Sequence, residues 1–323
     1  MDATPSRLGQ ANGASDVQAL FLEKFSGRVL LNFERMCKAR ARTTVETEDW
    51  GKAVVISEIG DTGADTHQPG AEILGDTIPQ GERKITPEDL VVASAFIADW
   101  DRFINHFQAQ DKYATKLAQA IANRYDRDIF RVMIQAATAT TANPALLGKE
   151  GTSIGSDSLD PVNSGADLIV QALAAAQVLD EKDVPDNDNR TLWVTAAQYW
   201  LLVGTQGNEI VNRDFGGEGS VARGVVTRVG NLEIVKSNNL KAVIDGGNSQ
   251  GSVDTNCDYL VDASNTAALV TTPDSVMTGE WLGISSEAGY DMRRQGTLLI
   301  SKVVKGSGIL RPECAVNIEP ISS

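Results

Sequence analysis

From Asp111 to Thr138, Ala114, Leu117, Ala118, Ile121, Ala122, Tyr125, Ile129, Val132, Met133 and Ala136 return every three or four positions. That spacing places them on one face of an α-helix, and twenty-eight residues predict a strut about 42 Å long. The intervening Lys116, Arg124, Asp126, Arg127, Asp128 and Arg131 alternate in sign and predict a mixed-charge face turned to water or polar neighbours. The same step in Leu20, Phe21, Phe25, Val29, Leu30, Phe33 and Met36 predicts a helix from Val17 to Arg42, behind a polar tail at 1–16. A shorter helix is expected over Ile97–Phe107, and an Ala-rich one from Ala166 to Glu181. AQYWLLVG, Ala197–Gly204, predicts one more.

Strand patterns fall at Ala53–Ile59, at the start of Glu82–Ala95, at Thr191–Ala196, Thr297–Val304 and Cys314–Pro320. Gly224–Ser237 reads as an extended pair around Gly230-Asn231. Between the first two strands, Gly60–Gly81 holds five glycines, two prolines and few apolar residues. Loops of this length in compact domains are functional or disordered. As a two-stranded excursion with about twenty residues per arm, it could reach roughly 60 Å. A lone hairpin is marginal in water, so such an excursion needs a surface to lie on, and the chain's own core does not extend that far. Asn143–Gly165 reads as a linker and Val243–Asn256 as a glycine-rich loop. A length of 323 residues favours two lobes over one.

Composition narrows the function classes. A net charge of −14 argues against a chain built mainly to grip nucleic acid, which needs surplus Lys and Arg. It leaves room for one locally basic face, and Arg35–Arg42 is the only dense basic cluster. Cys37, Cys257 and Cys314 are odd in number and far apart, which fits neither a zinc site nor a disulfide framework and suggests a reducing compartment. The polar start carries no signal-peptide pattern, and the longest apolar run, Val91–Ala98, is too short to span a bilayer.

The catalytic motifs fail on context. Asp61-Thr62-Gly63 spells the loop of an aspartic protease, but Gly60 precedes it where an apolar strand residue belongs, and no second such loop exists. Gly151–Gly155 fits G-x-S-x-G, yet the only histidines, His67 and His106, come before it. Gly246–Ser252 lacks the lysine of a phosphate loop, and Asp186–Arg190 lacks the turn glycine and distal Glu of a calcium loop. His67 beside Asp65 reads as a surface histidine. No catalytic, cofactor or metal residue is assigned.

The order of elements points elsewhere. Ala19–Arg35, with its Leu-Phe-Leu start and Gly-x-Val-Leu core, and Ile97–Phe130, with Asn105-His106-Phe107 and then Tyr113-x-x-x-Leu117, resemble successive segments of the tailed-bacteriophage major capsid proteins. So do Asp183-Val184-Pro185 followed by Arg190, and the closing Gly308–Val316. The likeness is greatest to podovirus coat proteins of the autographivirus type, over about 300 residues. It fails at Asp61–Gly75, Gly204–Gly219 and Val243–Asn256.

This resemblance implies an α+β, HK97-like fold. Its parts would be an N-terminal arm (1–48), an extended loop (49–93), a peripheral domain with a long spine helix (94–145 and 295–323) and an axial domain (146–294). It implies a non-enzymatic coat protein that forms hexamers and pentamers and closes into an icosahedral shell around double-stranded DNA, in the virion and assembled in the host bacterial cytoplasm. Its partners would be copies of itself, a separate scaffolding protein, a portal protein and DNA held non-specifically, with no membrane and no cofactor. Glu72, Arg83, Lys84, Arg293 and Arg294 are the candidate inter-subunit contacts. Arg35, Lys38, Arg40, Arg42, Lys116, Arg124, Arg127 and Arg131 are candidates for an inner basic surface, with intrahelical pairing such as Arg124–Asp128 the alternative for the last four. An encapsulin-like compartment on the same fold is the runner-up, and the protease a distant third.

Overall fold

The computed structural model describes residues 29–33, 36–48, 51–60, 62–64, 66–70, 72, 75, 77–100, 110–140, 149–155, 165–186, 189–204, 228–246 and 259–319. In chain order the strands and helices are β1 (Thr44–Thr47), β2 (Val54–Ile59), β3 (Gln80–Ile85), β4 (Val91–Ala98), α1 (Gln110–Ala137), β5 (Thr152–Ile154) and α2 (Gly165–Glu181). There follow β6 (Thr191–Val194), α3 (Ala196–Gly204), β7 (Arg228–Val229), β8 (Leu232–Lys236), α4 (Asn238–Gly246), β9 (Ala268–Thr271), β10 (Val276–Asp291), β11 (Gly296–Ile309) and β12 (Ala315–Ile318).

One sheet has the order β1-β10-β11-β4, built on the long antiparallel ribbon of β10 and β11. Alternation decides its faces. Leu299, Ser301, Val303 and Lys305 of β11 are buried, and Val91, Ala93, Ala95 and Ile97 of β4 pack against the same core. The apolar stripe of α1 covers that face. The intervening Val92 and Phe96 point outward and are exposed.

The second sheet has the order β5-β12-β9-β6-β8-β7. All four residues of β6 are buried because both of its faces are covered, which is why TLWV is continuously apolar. Leu192 and Val194 meet α2 and α3, while Trp193 turns to α1 and stands edge-on to Phe130 at 5.1 Å. Helix α1 is therefore a wall common to both sheets. Helix α2 buries Leu168, Ala172, Ala175 and Leu179 and ends in a Schellman turn. Asp183 takes φ +55°, its N–H bonds Asp180 O at 3.0 Å, and Val184 N–H bonds Leu179 O at 3.0 Å. Gly230, at φ +59°, opens the two-residue turn joining β7 and β8.

The structure departs from the sequence reading in several places. The long N-terminal helix is helical at 29–33 and Met36, then leaves the helix at Cys37, because the Asp126 carboxylate takes the N–H groups of Lys38 (3.1 Å) and Ala39 (3.2 Å). A 3-10 turn at Arg40–Arg42 follows. The helix expected from Ile97 starts later: Ile97 and Ala98 close β4, and 101–109 lie outside the described residues. The paired arms β2 and β3 are six residues each, about 20 Å, rather than twenty. β10 lies in the four-stranded sheet and β12 in the six-stranded one.

Candidate functional site

The excursion has an internal root and an outward face. Register pairs Val54 with Ile85 and Ile59 with Gln80. Val54, Ile85 and Met277 form a small buried cluster with Ile56, Trp281 and Leu310 packed on it. The floor beneath it lacks side chains for a steric reason. A Cβ on Gly306 would lie 2.2 Å from Thr86 O, and one on Gly308 would lie 2.8 Å from Ile85 Cγ1. Gly279 and Gly306 face each other across β10 and β11, and the Trp281 ring lies over both.

Charge latches this root. Arg83 pairs with Glu58 and donates to Ile309 O at 3.2 Å. Lys149 reaches Glu58 at 3.0 Å and Glu313 at 3.5 Å, and Arg311 pairs with Glu313 at 2.8 Å. Burial pushes the Glu313 carboxyl up, but its own backbone N–H, Arg311 and Lys149 outweigh that and hold it below its ordinary value. Beyond the latch the described residues are largely open to solvent. Val55, Ile59, Glu82 and Lys84 are exposed on the outer face, and so is every described residue from Thr62 to Gln80.

A second network surrounds α1. Lys305 is fully buried, with Nζ 2.9 Å from Asp128 Oδ2, 3.3 Å from Glu88 Oε1, and 5.0 and 5.5 Å from the Tyr125 and Tyr259 ring centroids. Asp128 also takes Arg124 at 3.2 Å and Arg131 at 2.8 Å. Tyr125 donates its hydroxyl to Glu280 at 2.6 Å, and Arg40 grips the same carboxylate with two bonds, at 2.8 and 3.0 Å. Burial raises the Asp128 carboxyl, yet Lys305, Arg124 and Arg131 bring it below its ordinary value. Burial pushes Asp126 up to about 6, against hydrogen bonds from Lys38, Ala39 and Asn239. Asp126, Asp128 and Arg131 are thus buried, so this part of the mixed-charge face turns to polar neighbours and not to water. The network fastens the N-terminal segment, the exit of the excursion, both long strands and α4 to one helix.

The candidate basic surface is largely committed within the chain. Arg40 pairs with Glu280, Arg42 with Glu233 at 2.5 Å, and Arg124 and Arg131 with Asp128, as the intrahelical alternative anticipated for Arg124. Arg127 is half-buried and engaged. Lys38 Nζ donates to Lys236 O at 2.9 Å. Lys116 is exposed beside Gln119, and Arg35 lies outside the described residues. Among the candidate contacts, Arg83 is turned into the latch. Lys84 is exposed 3.6 Å from Glu82, Glu72 is exposed on the excursion, and Arg293 and Arg294 are exposed in the β10–β11 turn. Sequence reasoning missed Glu58, Lys149, Glu280 and Lys305. Lys305 was findable, since it has the inward parity of Leu299, Ser301 and Val303.

Asp61 and Asp65 lie outside the described residues, and His67 is exposed. Among the described residues no group of His, Cys, Asp and Glu could hold a metal ion, and no helix is long and apolar enough to cross a membrane. The Gp10A-like family, described as major capsid protein, matches residues 56–319. This chain belongs to that family. It is 26% identical to the major capsid protein of Enterobacteria phage T3 over 331 residues, covering 95% of this chain and 93% of that protein. To the major capsid protein of Escherichia phage T7 it is 24% identical over 347 residues, covering 94% and 92%. The capsid structure of cyanophage P-SCSP1u superposes with a TM-score of 0.74 at 30% identity, covering all of both chains. The HK97-like α+β fold of a phage major capsid protein follows, and with it a structural component of the virion capsid rather than an enzyme. Neither the protease nor the compartment reading gains support over it.

Proposed function

We propose that copies of this capsid protein assemble as hexamers and pentamers into an icosahedral shell around phage double-stranded DNA. One observation carries this reading: a latched hairpin root bears a twenty-residue excursion, Gly60–Pro79, whose described residues beyond Gly60 are all exposed. Such a segment gains a resting place from a neighbouring copy. Glu72 and Lys84 would meet that neighbour, and Arg83 would hold the excursion's angle from within. The four-stranded sheet with α1 corresponds to the peripheral domain and the six-stranded sheet with α2 and α3 to the axial domain. The segments up to residue 48 serve as the arm, and 49–93 as the extended loop.

Assembly takes place in the host bacterial cytoplasm, guided by a separate scaffolding protein, with a portal protein at one vertex. The acid excess and the internal pairing of Arg40, Arg42, Arg124 and Arg131 leave the wall weakly attractive to DNA, which suits packaging and release. Deleting 61–78 tests the reading. The shortened chain should keep its far-ultraviolet circular dichroism and melt cooperatively yet form no shells in electron micrographs. Native-size shells from it would overturn the proposal.

A further inference from the structure

The long β10–β11 ribbon consists of two pieces. Its register runs unbroken from Val276↔Ile309 to Glu280↔Lys305 and again from Ser285↔Lys302 to Asp291↔Gly296. Only Leu282↔Val304 lies between, so Trp281, Gly283 and Ile284 fall outside the ladder. Register shifts this close together bend a strand and steepen its twist. Strand β1 pairs with Met277–Glu280 of the first piece, whereas β4 pairs with Gly296–Val303, the side of the ribbon opposite the second. The sheet's outer strands are thus divided between the two pieces.

The first piece is pinned. All of Val276–Glu280 is buried, and at its end Glu280 and Lys305 face each other across the ribbon. Tyr125 and Arg40 hold Glu280, and Asp128 holds Lys305. The second piece has an open face, with Glu287, Gly289 and Tyr290 exposed. Between the two the packing is incomplete. A cavity of about 80 Å³ is lined by Gly283 and Ile284 of β10, Val303 of β11, the Arg40–Glu280 pair, and Leu30 and Phe33 of the N-terminal segment. No described atom beyond its chain neighbours stands within 4 Å of where a Cβ on Gly283 would be. Protein interiors are close-packed, and a void removes the contacts that would hold its walls still.

We infer that the ribbon bends at Leu282–Ser285 and that the N-terminal segment, through Leu30 and Phe33, sets the angle. A hinge is a few residues that absorb the backbone change while the packed elements on either side move as bodies. Here the bodies are the pinned piece with β1 and the second piece with β4. Phe33 is buried and stands edge-on to Tyr125 at 5.6 Å, which ties it to the pinned side, and it shares the cavity with Ile284 and Val303. A shift of the N-terminal segment therefore opens or closes the space into which the second piece inclines. The use of this bend rests on the shell reading: copies at non-identical places in a closed shell take different inclinations of the second piece over an unchanged root.

The test is amide hydrogen exchange on unassembled subunits, followed by assembly. Val303→Ile adds a methylene to the cavity wall and should slow exchange at Gly283 and Ile284 by about tenfold, while Met277–Glu280 exchange as before. Phe33→Leu enlarges the cavity and should speed the same two amides, and the double variant should return towards the unsubstituted rates. Unchanged rates at Gly283 and Ile284 in both single variants overturn the inference. So does an equal change along Met277–Glu280, since the cavity would then act on stability rather than on a bend. A lowered thermal midpoint for Val303→Ile means that the methylene does not fit, and Phe33→Leu then decides alone, unchanged rates overturning the inference. In assembly, Val303→Ile should cut the yield of closed native-size shells severalfold and the double variant should restore it; full yield from Val303→Ile with slowed exchange overturns the bend's part in closure. Exchange is read before assembly, so an unsubstituted chain that forms no shells strikes the shell reading and leaves the bend to be judged by exchange.

Discussion

Lys305 Nζ and Asp128 Oδ2 lie 2.9 Å apart with neither side chain exposed to solvent. An ion pair in that position is a weak source of net stability, because removing both charges from water offsets most of their attraction. Its value is positional: Lys305 sits on β11, Asp128 on α1, and Glu88 at the exit of the excursion, so one ammonium fixes all three. Lys305→Met should lower unfolding free energy by about 3–5 kcal/mol, since Glu88 loses its cation inside the protein. Urea unfolding of capsomers measures this, and a loss under about 1 kcal/mol would show the pair to be dispensable.

Gly306 makes a narrower claim. Its absent side chain is the space occupied by Thr86 O, 2.2 Å from where a Cβ would stand. Gly306→Ala must therefore lift the chain just after β3 away from β11, at about 1–3 kcal/mol. Gly283, with nothing near its Cβ position, provides the control: Gly283→Ala should shift the thermal midpoint little. Equal midpoints for the two variants would mean that the root is not seated on the glycine floor.

The contrast between these positions and α1 shows what the chain discloses about itself. The spine helix, α2, β6 and the Gly230 turn were legible because each is decided by periodicity or by local turn chemistry within a few residues. β10 was not. Gly279, Gly283 and Gly289 weaken its strand pattern, and register shifts between Glu280, Leu282 and Ser285 break the alternation that marks a half-buried strand. Helix α4 is nine residues long and was read partly as loop, though Leu240 and Val243 bury against the α1 core. The charged side of α1 stays open between water and polar neighbours for a different reason. Asp128 and Arg131 look like a solvated face until Lys305 arrives from 177 residues away, and no local window contains that partner. The latch around Glu58 is likewise assembled from β2, β3, Lys149 and the Arg311–Glu313 segment, which no local window brings together.

Acid should act on this protein in two opposed ways. Glu280 and Glu313 are held below their ordinary values despite burial, by Arg40 and Tyr125 in one case and by a backbone N–H, Arg311 and Lys149 in the other. Their contribution is complete above the ordinary carboxylate range and is lost as pH falls through the lowered folded values. Asp126 runs the other way. Burial raises it from 3.8 to about 6, so between those values the folded chain holds a proton that the unfolded chain has released. Stability from this group is present below 3.8 and declines up to about 6. The stability of the wild type minus that of Asp126→Asn should therefore fall by roughly 2 kcal/mol from pH 4 to pH 7, on top of a constant offset for altered hydrogen bonds. A difference that stays flat across that interval would show that Asp126 titrates normally in the fold.

Glu58 separates the latch from folding. Its carboxylate joins Arg83 on β3 to Lys149, and through Lys149 to Glu313, yet it lies at the edge of the small Val54–Ile85–Met277 cluster rather than within either large core. Glu58→Gln removes the charge and keeps the shape, so the folded chain should lose only about 1–2 kcal/mol, the scale of a partly buried charged hydrogen bond. The direction of the excursion should suffer more, because Arg83 and Lys149 then lack their common partner and the hairpin can pivot on the glycine floor. The expected outcome is a near-normal melting profile with shell yield sharply reduced, and reduced further at high salt, where the remaining Lys149–Glu313 and Arg311–Glu313 pairs are screened. Light scattering of assembly at two ionic strengths measures both effects. Wild-type yields from Glu58→Gln at both would show that the excursion is aimed by its apolar root alone.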